Sequence, residues 1–316
     1  MPDFHSSTQT SGRGTRATLA DLIGLRFEAS RMTLPRNIRA THPISGQLRS
    51  KIQGRGVDFS EVRLYQPGDD VRSIDWRVTA RTNQPHTKLF QEEKERPVLV
   101  LIDQGASLYF GSKVRFKSVA AARLGLSIAW SALAEGDRVG GIVFNGQGHE
   151  EVRPRRSRTS VLHLANRTVG YNQRLTSEQG TRPSLLADAL LAAYRVSRHG
   201  SLVFIISDFQ SLTEEAETYL TQLGRFNLVY GVHVFDELER NLPRPGQYSM
   251  TDGETFIKVD TSNNQHRADY SDAFALESRR VESCFIRSGG AYLAHPCHET
   301  PFSLRFHDHR MSSLAD

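Results

Sequence analysis

The feature that most constrains the fold is a series of short, fully apolar segments that alternate with helical patterns from Pro97 onward. Val98–Ile102 and Leu202–Ile206 are continuous apolar runs, and Val114–Glu135 between them has apolar residues at helical spacing. Strands with such runs are buried on both faces, because helices cover both sides of a parallel sheet. The sequence therefore predicts an α/β fold with a doubly wound, mostly parallel sheet.

The rest of the chain after Pro97 continues this alternation. The remaining predicted strands are Val139–Phe144, His149–Arg153, Leu228–Phe235, Phe256–Val259 and Tyr292–Ala294, and the predicted helices are Ser160–Val169, Ser184–His199, Thr213–Leu223 and Tyr270–Ser288. The Asn145-Gly146 turn predicts that His149–Arg153 pairs with the preceding strand as a hairpin.

Two of the apolar strands end in an acid. Asp103 follows the first core strand, and Asp208 follows Leu202–Ile206 after one serine. In doubly wound sheets, ligands bind beyond the carboxyl ends of strands where the strand order reverses, so we expect these acids to converge there if the strands are neighbours. With hydroxyls from Ser107 and the loop 181–184, they would form a site for a hard cation such as Mg²⁺ or Mn²⁺. The alternative is that both acids only cap the helices that follow.

A more specific pattern lies upstream of the sheet. Residues 56–77 are GVDFSEVRLYQPGDDVRSIDWR, followed by Ala80-Arg81. This segment resembles the signature of the "domain of unknown function 58" family, and the turn Gly136–Gly140 and the strand end Ser207–Phe209 are also similar to that family. The resemblance covers about residues 50–300. It implies a von Willebrand A-like, Rossmann-type fold with an N-terminal extension.

The resemblance also implies a metal-ion-dependent adhesion site. The first motif of that site is Asp-x-Ser-x-Ser, and this chain has Asp103-x-Gly105-x-Ser107, so one hydroxyl ligand is missing. The separate threonine of the family corresponds best to Ser184, with Thr181 as a rival, and the later acid corresponds to Asp208. The expected ligands of Mg²⁺ (or Mn²⁺) are thus Asp103, Ser107, Ser184 and Asp208, with an acidic side chain of a partner completing the shell.

The function implied by the resemblance is that of a non-enzymatic protein-binding module. Members of the family commonly accompany MoxR-type AAA+ ATPases, so such an ATPase is the expected partner, while the client protein is not identified by the sequence. The chain lacks a Gly-x₄-Gly-Lys-Ser/Thr loop, and we expect no nucleotide cofactor. One alternative is a metal-dependent hydrolase or phosphotransferase that uses the same acids, although the sequence near them offers no evident general base or nucleophile.

A second alternative concerns the basic N-terminal arm. Residues 1–60 contain nine Arg or Lys and four Asp or Glu, and 9 − 4 = 5 accounts for the whole net charge of +5. Such an arm can bind a polyanion. Because no aromatic-basic recognition motif accompanies it, we do not expect nucleic acid to be the partner.

The domain boundaries follow from these patterns. We expect a basic, partly disordered extension at 1–55, the charged signature segment packing on the core at 56–97, the von Willebrand A-like domain at 98–300 and a polar tail at 301–316. Apolar runs such as Val98–Ile102 are far shorter than the ~20 residues of a membrane helix. Residues 1–7 are polar and do not look like a signal peptide, so a cytoplasmic location with no membrane contact is expected.

The charged block at 56–81 allows two interpretations. Its acids and arginines nearly balance in charge, which favours a salt-bridge network that fixes the segment, and the alternative is a docking surface for a partner. The interleaved Ile74-Asp75-Trp76-Arg77 predicts that Trp76 is buried and that Trp76 and Asp75 matter mainly for folding.

Overall fold

The structure, a computed structural model, describes residues 14–35, 57–66, 69, 71–92, 96–175, 185–251 and 256–306. These residues belong to two units. The large unit comprises residues 14–35 and the described residues from 96 to 306, and the small unit comprises the described residues from 57 to 92. The described strands are β1 (Val57–Leu64), β2 (His86–Glu92), β3 (Pro97–Asp103), β4 (Arg138–Phe144), β5 (His149–Arg155), β6 (Leu202–Ser207), β7 (Leu228–Phe235), β8 (Gln247–Thr251), β9 (Phe256–Asp260) and β10 (Ala291–Pro296). The described helices are α1 (Leu19–Gly24), α2 (Trp76–Thr82), α3 (Lys117–Ala134), α4 (Arg158–Arg174), α5 (Leu186–Val196), α6 (Glu214–Gly224), α7 (Glu237–Arg240) and α8 (Asn264–Arg287).

The large unit is built on one mixed sheet. In the described part of the chain this sheet has six strands in the order β10-β7-β6-β3-β4-β5. The first five are parallel to their neighbours, and β5 pairs antiparallel with β4 as the predicted hairpin. The chain leaves β3 towards β4 on one side and later returns to β6 on the other. The strand order therefore reverses between β3 and β6, which confirms the predicted doubly wound, mostly parallel α/β fold.

Both faces of the sheet are covered because successive residues of a strand point to opposite sides. In β3, Val98, Val100 and Ile102 belong to the cluster formed with α3 and α4, whereas Leu99 and Leu101 belong to the cluster with α5, α6 and α8. Helix α3 lies close to the sheet, since a Cβ added to Gly125 would come within 2.5 Å of Cδ1 of Ile102. This explains why the core strands are continuously apolar and why α3 is buried almost throughout.

Part of the N-terminal extension belongs to this core. Thr18 caps α1, and the buried Leu22, Leu25 and Met32 join the cluster around α3. The indole nitrogen of Trp130 donates a hydrogen bond to the Leu22 carbonyl oxygen at 3.0 Å. Residues 14–35 are therefore an integral layer of the large unit. Residues 1–13, which the sequence also assigns to the basic arm, lie outside the described residues.

The small unit is an antiparallel pair of strands, β1 and β2, with α2 between them in sequence. Asp75 caps α2 by accepting hydrogen bonds from the backbone N–H groups of Arg77 and Val78. Arg63 forms an ion pair with Asp69 at 2.8 Å, in keeping with the salt-bridge interpretation of the charged block. The prediction that Trp76 is buried is wrong: this residue, the first of α2, is 67% exposed.

Some element bounds differ from the sequence prediction. The strand predicted at Phe256–Val259 is present as β9, but it pairs with β8 in a separate two-stranded sheet. The long helix predicted from Val114 begins at Lys117 instead, because Phe116 has an extended backbone and the preceding residues form the loop that leaves β3. Across the described residues, no helix has the length and apolar character needed to cross a membrane.

Candidate functional site

The carboxyl edge of the sheet at the reversal point brings the two predicted acids to neighbouring strands. β3 ends at Asp103, and Asp208 follows the last residue of β6. The two strands are adjacent and parallel, with Ile102 paired with Ile206. Both carboxylates are buried, with exposures of 0% for Asp103 and 6% for Asp208.

Asp103 is held by hydrogen bonds on both of its carboxylate oxygens. Oδ1 accepts from the backbone N–H of Gly105 at 2.7 Å, and Oδ2 accepts from the Ser207 hydroxyl at 2.6 Å. The Ser207 hydroxyl oxygen in turn accepts from the N–H of Phe209 at 2.9 Å. Asp103 thus fixes the start of its own loop and the turn after β6.

The turn after β6 has an unusual backbone. Phe209 is buried and has a φ of 55°, a left-handed conformation that is uncommon for a residue other than glycine. Backbone strain of this kind concentrates where the surrounding structure holds a segment in place, often at functional sites. Here the Ser207 hydroxyl and the Phe209 ring contacts with Phe285 and His233 keep the turn in position.

Asp208 faces a lysine that the sequence analysis did not single out. The ammonium nitrogen of Lys117, the first residue of α3, lies 2.9 Å from Oδ2 of Asp208 and 2.6 Å from Oε1 of Glu239 in α7. The Lys117 side chain is 1% exposed and the Glu239 side chain is 24% exposed. One buried cation therefore connects α3, the end of β6 and the helix that follows β7.

The electrostatic surroundings keep Lys117 charged. Burial by itself acts to lower its pKa, but the carboxylates of Asp208 and Glu239 outweigh burial, and the pKa is raised above its ordinary value. A buried ammonium is stable only with such partners. Lys117 and the two carboxylates therefore form one cluster joined by two short ion pairs.

A third strand end extends this polar edge. Asp236 follows β7 and accepts hydrogen bonds from the Ser112 hydroxyl at 2.5 Å and the Ser112 N–H at 2.9 Å. It also accepts from the thiol of Cys297 and caps α7. Burial acts to raise the pKa of Asp236, but the hydrogen bonds led by those of Ser112 lower it overall. Asp236 thus fixes the loop after β3 against the end of β7.

Of the two hydroxyl residues predicted to complete a metal site, the structure describes only Ser107. Ser107 is half-buried in the 3₁₀ turn Ala106–Leu108 that follows β3. Ser184 and its rival Thr181 lie outside the described residues. The structure thus brings Asp103 and Asp208 to adjacent strand ends, with Ser107 in the loop that follows the first of them.

The residues described at this edge do not fit a Mg²⁺ ion. Such an ion requires a nearly octahedral shell of oxygens at about 2.0–2.1 Å. Asp103 has hydrogen-bond donors on both oxygens, and Asp208 already faces the positive charge of Lys117, which repels a divalent cation. Within the ranges that the structure describes, no cluster of three or more His, Cys, Asp or Glu side chains could hold a metal ion.

The sequence analysis did not single out Asp236, Lys117 or Glu239, and only Asp236 has a signal in the local sequence. Asp236 could have been found, because the apolar strand Leu228–Phe235 ends in an acid just as the strands before Asp103 and Asp208 do. Lys117 and Glu239 have no comparable local signal. Each is a charged residue at a helical position, which is ordinarily solvated.

Comparison with known proteins identifies the chain's relatives. The family described as "Protein of unknown function DUF58" matches residues 61–280. An uncharacterised protein of Mycobacterium tuberculosis strain H37Rv, Rv1480, is 32% identical over 243 residues, which cover 77% of this chain and 75% of that protein.

The chain is also similar to solved structures of bacterial proteins, among them the following two. The conserved hypothetical protein BatB from Bacteroides thetaiotaomicron matches with 14% identity and a TM-score of 0.38, covering 64% of this chain and 90% of BatB. A von Willebrand factor type A protein from Catenulispora acidiphila matches with 14% identity and a TM-score of 0.33, covering 48% of this chain and 35% of that one. At these identities and TM-scores the likeness carries no conclusion about function.

Proposed function

The chain belongs to the DUF58 family, and from that premise we propose that it is a non-catalytic, von Willebrand A-like module that binds a MoxR-type AAA+ ATPase during protein remodelling or complex assembly. The observation that carries the proposal is the state of the strand-end acids. Asp103 and Asp208 are buried and already bound to donors within the chain. Buried acids whose oxygens already have donors within the chain are suited to holding loops in a fixed shape for recognition.

The same observation argues against the alternative of a hydrolase or phosphotransferase. A general base must reach the proton that it removes, and a metal-activated water needs a metal with an open position. Asp103 and Asp208 are shielded from solvent, and Lys117 occupies the space facing Asp208. The geometry therefore supports binding over catalysis.

The polyanion-binding alternative also loses support. Three of the nine basic residues of the arm are engaged within the large unit: Arg16 donates to the Asn172 carbonyl, Arg26 lies over the Phe27 ring, and Arg31 pairs with Glu28. Residues engaged in this way contribute less to a phosphate-binding surface.

Because the proposed partner consumes ATP, the proposal places the chain in the cytoplasm.

The proposed contact surface is the group of loops at the carboxyl edge. The loop between β3 and α3 exposes Lys113 and Val114, the latter at 56%. Gln210 is exposed in the turn after β6. The network of Lys117, Asp208 and Asp236 holds these loops from beneath, and a rigid edge loses little conformational entropy on binding.

The test is co-purification with the MoxR-type ATPase of the same organism. Lys113→Glu combined with Val114→Asp changes the carboxyl edge at exposed positions, and we expect it to abolish the complex. Arg225→Glu is the matched control, because Arg225 is exposed and lies between α6 and β7, at the opposite edge of the sheet. Equal binding of both variants would place the contact elsewhere, and no binding of the unaltered chain would remove the proposed partner.

A further inference from the structure

The most informative cluster is the buried ion group at the point where the sheet reverses. Ligands of doubly wound sheets bind at this point, and in this chain the position facing Asp208 is filled by the chain's own cation. The Lys117 ammonium contacts carboxylates that lie 91 and 122 residues further along the chain. The lysine enters from the beginning of α3, directly after the loop that follows Asp103.

We infer that the ammonium of Lys117 takes the place of a metal ion at this edge, so that the site keeps its shape and has a positive charge facing its acids without a divalent cation. The inference concerns this chain alone and does not rest on the proposed ATPase partner. It follows from the disagreement between the acids, which suggest a cation site, and the contacts they actually make.

The charges around Asp208 support this assignment. Asp208 and Glu239 together carry two negative charges, and Lys117 supplies one positive charge between them at contact distance. Both oxygens of Asp103 already accept hydrogen bonds, from Gly105 and Ser207. Adding a divalent ion would require Lys117 to leave or lose its proton, and its raised pKa opposes the loss.

The position of Lys117 among the elements of the fold also supports the assignment. A metal ion at a reversal point links loops from separate strands, and Lys117 does the same. It joins α3, the turn after β6 and α7, whose N-cap Asp236 binds the loop before α3 through Ser112. An ordinary core ion pair would join two elements, whereas this cation joins three.

The first experiment measures Mn²⁺ binding to the full chain by electron paramagnetic resonance, with Mn²⁺ alone as the probe. We expect no stoichiometric binding at millimolar Mn²⁺, and the same melting temperature in EDTA and in Mg²⁺. One Mn²⁺ bound per unaltered chain, and lost in Asp208→Asn, would overturn the inference.

The second experiment removes the lysine. Lys117→Ala should lower the melting temperature in EDTA by about 6–12 °C, the shift expected when a buried ion pair in a domain of this size loses one partner. Mn²⁺ should restore part of this loss, because the space left by the side chain lies between two carboxylates. The restoration should vanish in Lys117→Ala/Asp208→Asn.

Control and fallback variants keep the second experiment decisive. Lys113→Ala removes an exposed lysine four residues away and should show no change in EDTA or Mn²⁺. A folded Lys117→Ala that ignores Mn²⁺ would reduce Lys117 to a structural ion pair and overturn the inference. If Lys117→Ala does not fold, Lys117→Ser, whose short side chain also leaves the space between the carboxylates open, takes its place with the same two outcomes, and Mn²⁺ binding by the unaltered chain still decides.

Discussion

The ammonium nitrogen of Lys117 lies 2.9 Å from Oδ2 of Asp208, and both side chains are almost completely buried. Removing two charges from water is costly, and their mutual attraction offsets that cost only in good geometry with further hydrogen bonds. Glu239 supplies the additional contact to the lysine, and the Gln210 N–H donates to Oδ1 of Asp208 at 3.3 Å. This edge of the sheet therefore depends on each member of the group.

Replacing Lys117 by methionine should lower the free energy of unfolding by about 3–5 kcal/mol, because it leaves the buried Asp208 carboxylate without its counter-ion. Urea denaturation at neutral pH measures the change. Lys113→Met is the matched control, since Lys113 is exposed, and it should alter stability by less than about 0.5 kcal/mol. Similar losses in the two variants would mean that the pair with Asp208 does not hold the edge.

Adding Asp208→Asn to Lys117→Met should recover part of the lost stability. The double variant removes both charges, so the uncompensated carboxylate disappears. Urea denaturation of the single and double variants completes the cycle. Strictly additive losses would show that the two side chains act independently.

Acid should destabilise the protein through His233. Burial is the main cause that lowers the pKa of His233 from 6.5 to about 4. The Nδ1 atom of His233 lies 2.7 Å from the Tyr292 hydroxyl oxygen. The folded state thus favours the neutral ring. The stabilising contribution is complete above pH 6.5 and is lost as the pH falls towards about 4, with a total of roughly 3 kcal/mol for a shift of this size.

Unfolding free energies of the unaltered chain and of His233→Gln, measured across that pH range, test this expectation. The variant should lose less stability on acidification than the unaltered chain. His163→Gln, at an exposed position of α4, should follow the unaltered chain. His295, whose pKa burial also lowers to about 4, stays in every variant and contributes a common background.

How far the sequence predicts this site depends on which residues are considered. Asp103 and Asp208 could be placed because each follows an apolar strand, and parallel strands bring their carboxyl ends to one edge. Lys117 and Glu239 could not, since nothing in a local pattern relates a helix start to acids 91 and 122 residues away. Only the packing of α3 and α7 brings them together.

The fold shows the same division between local and long-range information. The core strands were predictable because burial on both faces requires continuous apolar residues. β1 was missed because the register shift between Phe59 and Glu61 interrupts its alternation of apolar and polar residues. Trp76 was predicted to be buried because apolar and charged residues alternate in Ile74-Asp75-Trp76-Arg77, but the segment begins the short helix α2 and Trp76 is exposed there.

The small unit offers a direct comparison of two adjacent residues. Asp75→Ala removes the hydrogen bonds that cap α2 and should cost about 1 kcal/mol, whereas Trp76→Ala, at an exposed position, should cost less than about 0.5 kcal/mol. Hydrogen exchange at the amides of residues 79–82, followed by mass spectrometry, should accelerate in the first variant only. Faster exchange in Trp76→Ala would indicate that the indole supports the helix after all.

Truncation of the N-terminal extension should have two separate consequences. Deleting residues 1–13 removes none of the described contacts and should leave the melting temperature unchanged. Deleting residues 1–35 removes Leu22, Leu25 and Met32 from the core, at about 1.5–3 kcal/mol each, and it takes away the Leu22 carbonyl that accepts from Trp130. That sum is comparable with the whole stability of a domain, so the longer truncation should unfold or aggregate. Thermal denaturation of both truncated chains tests the expectation, and a cooperatively folded chain that begins at residue 36 would show that α1 and the turns after it are dispensable.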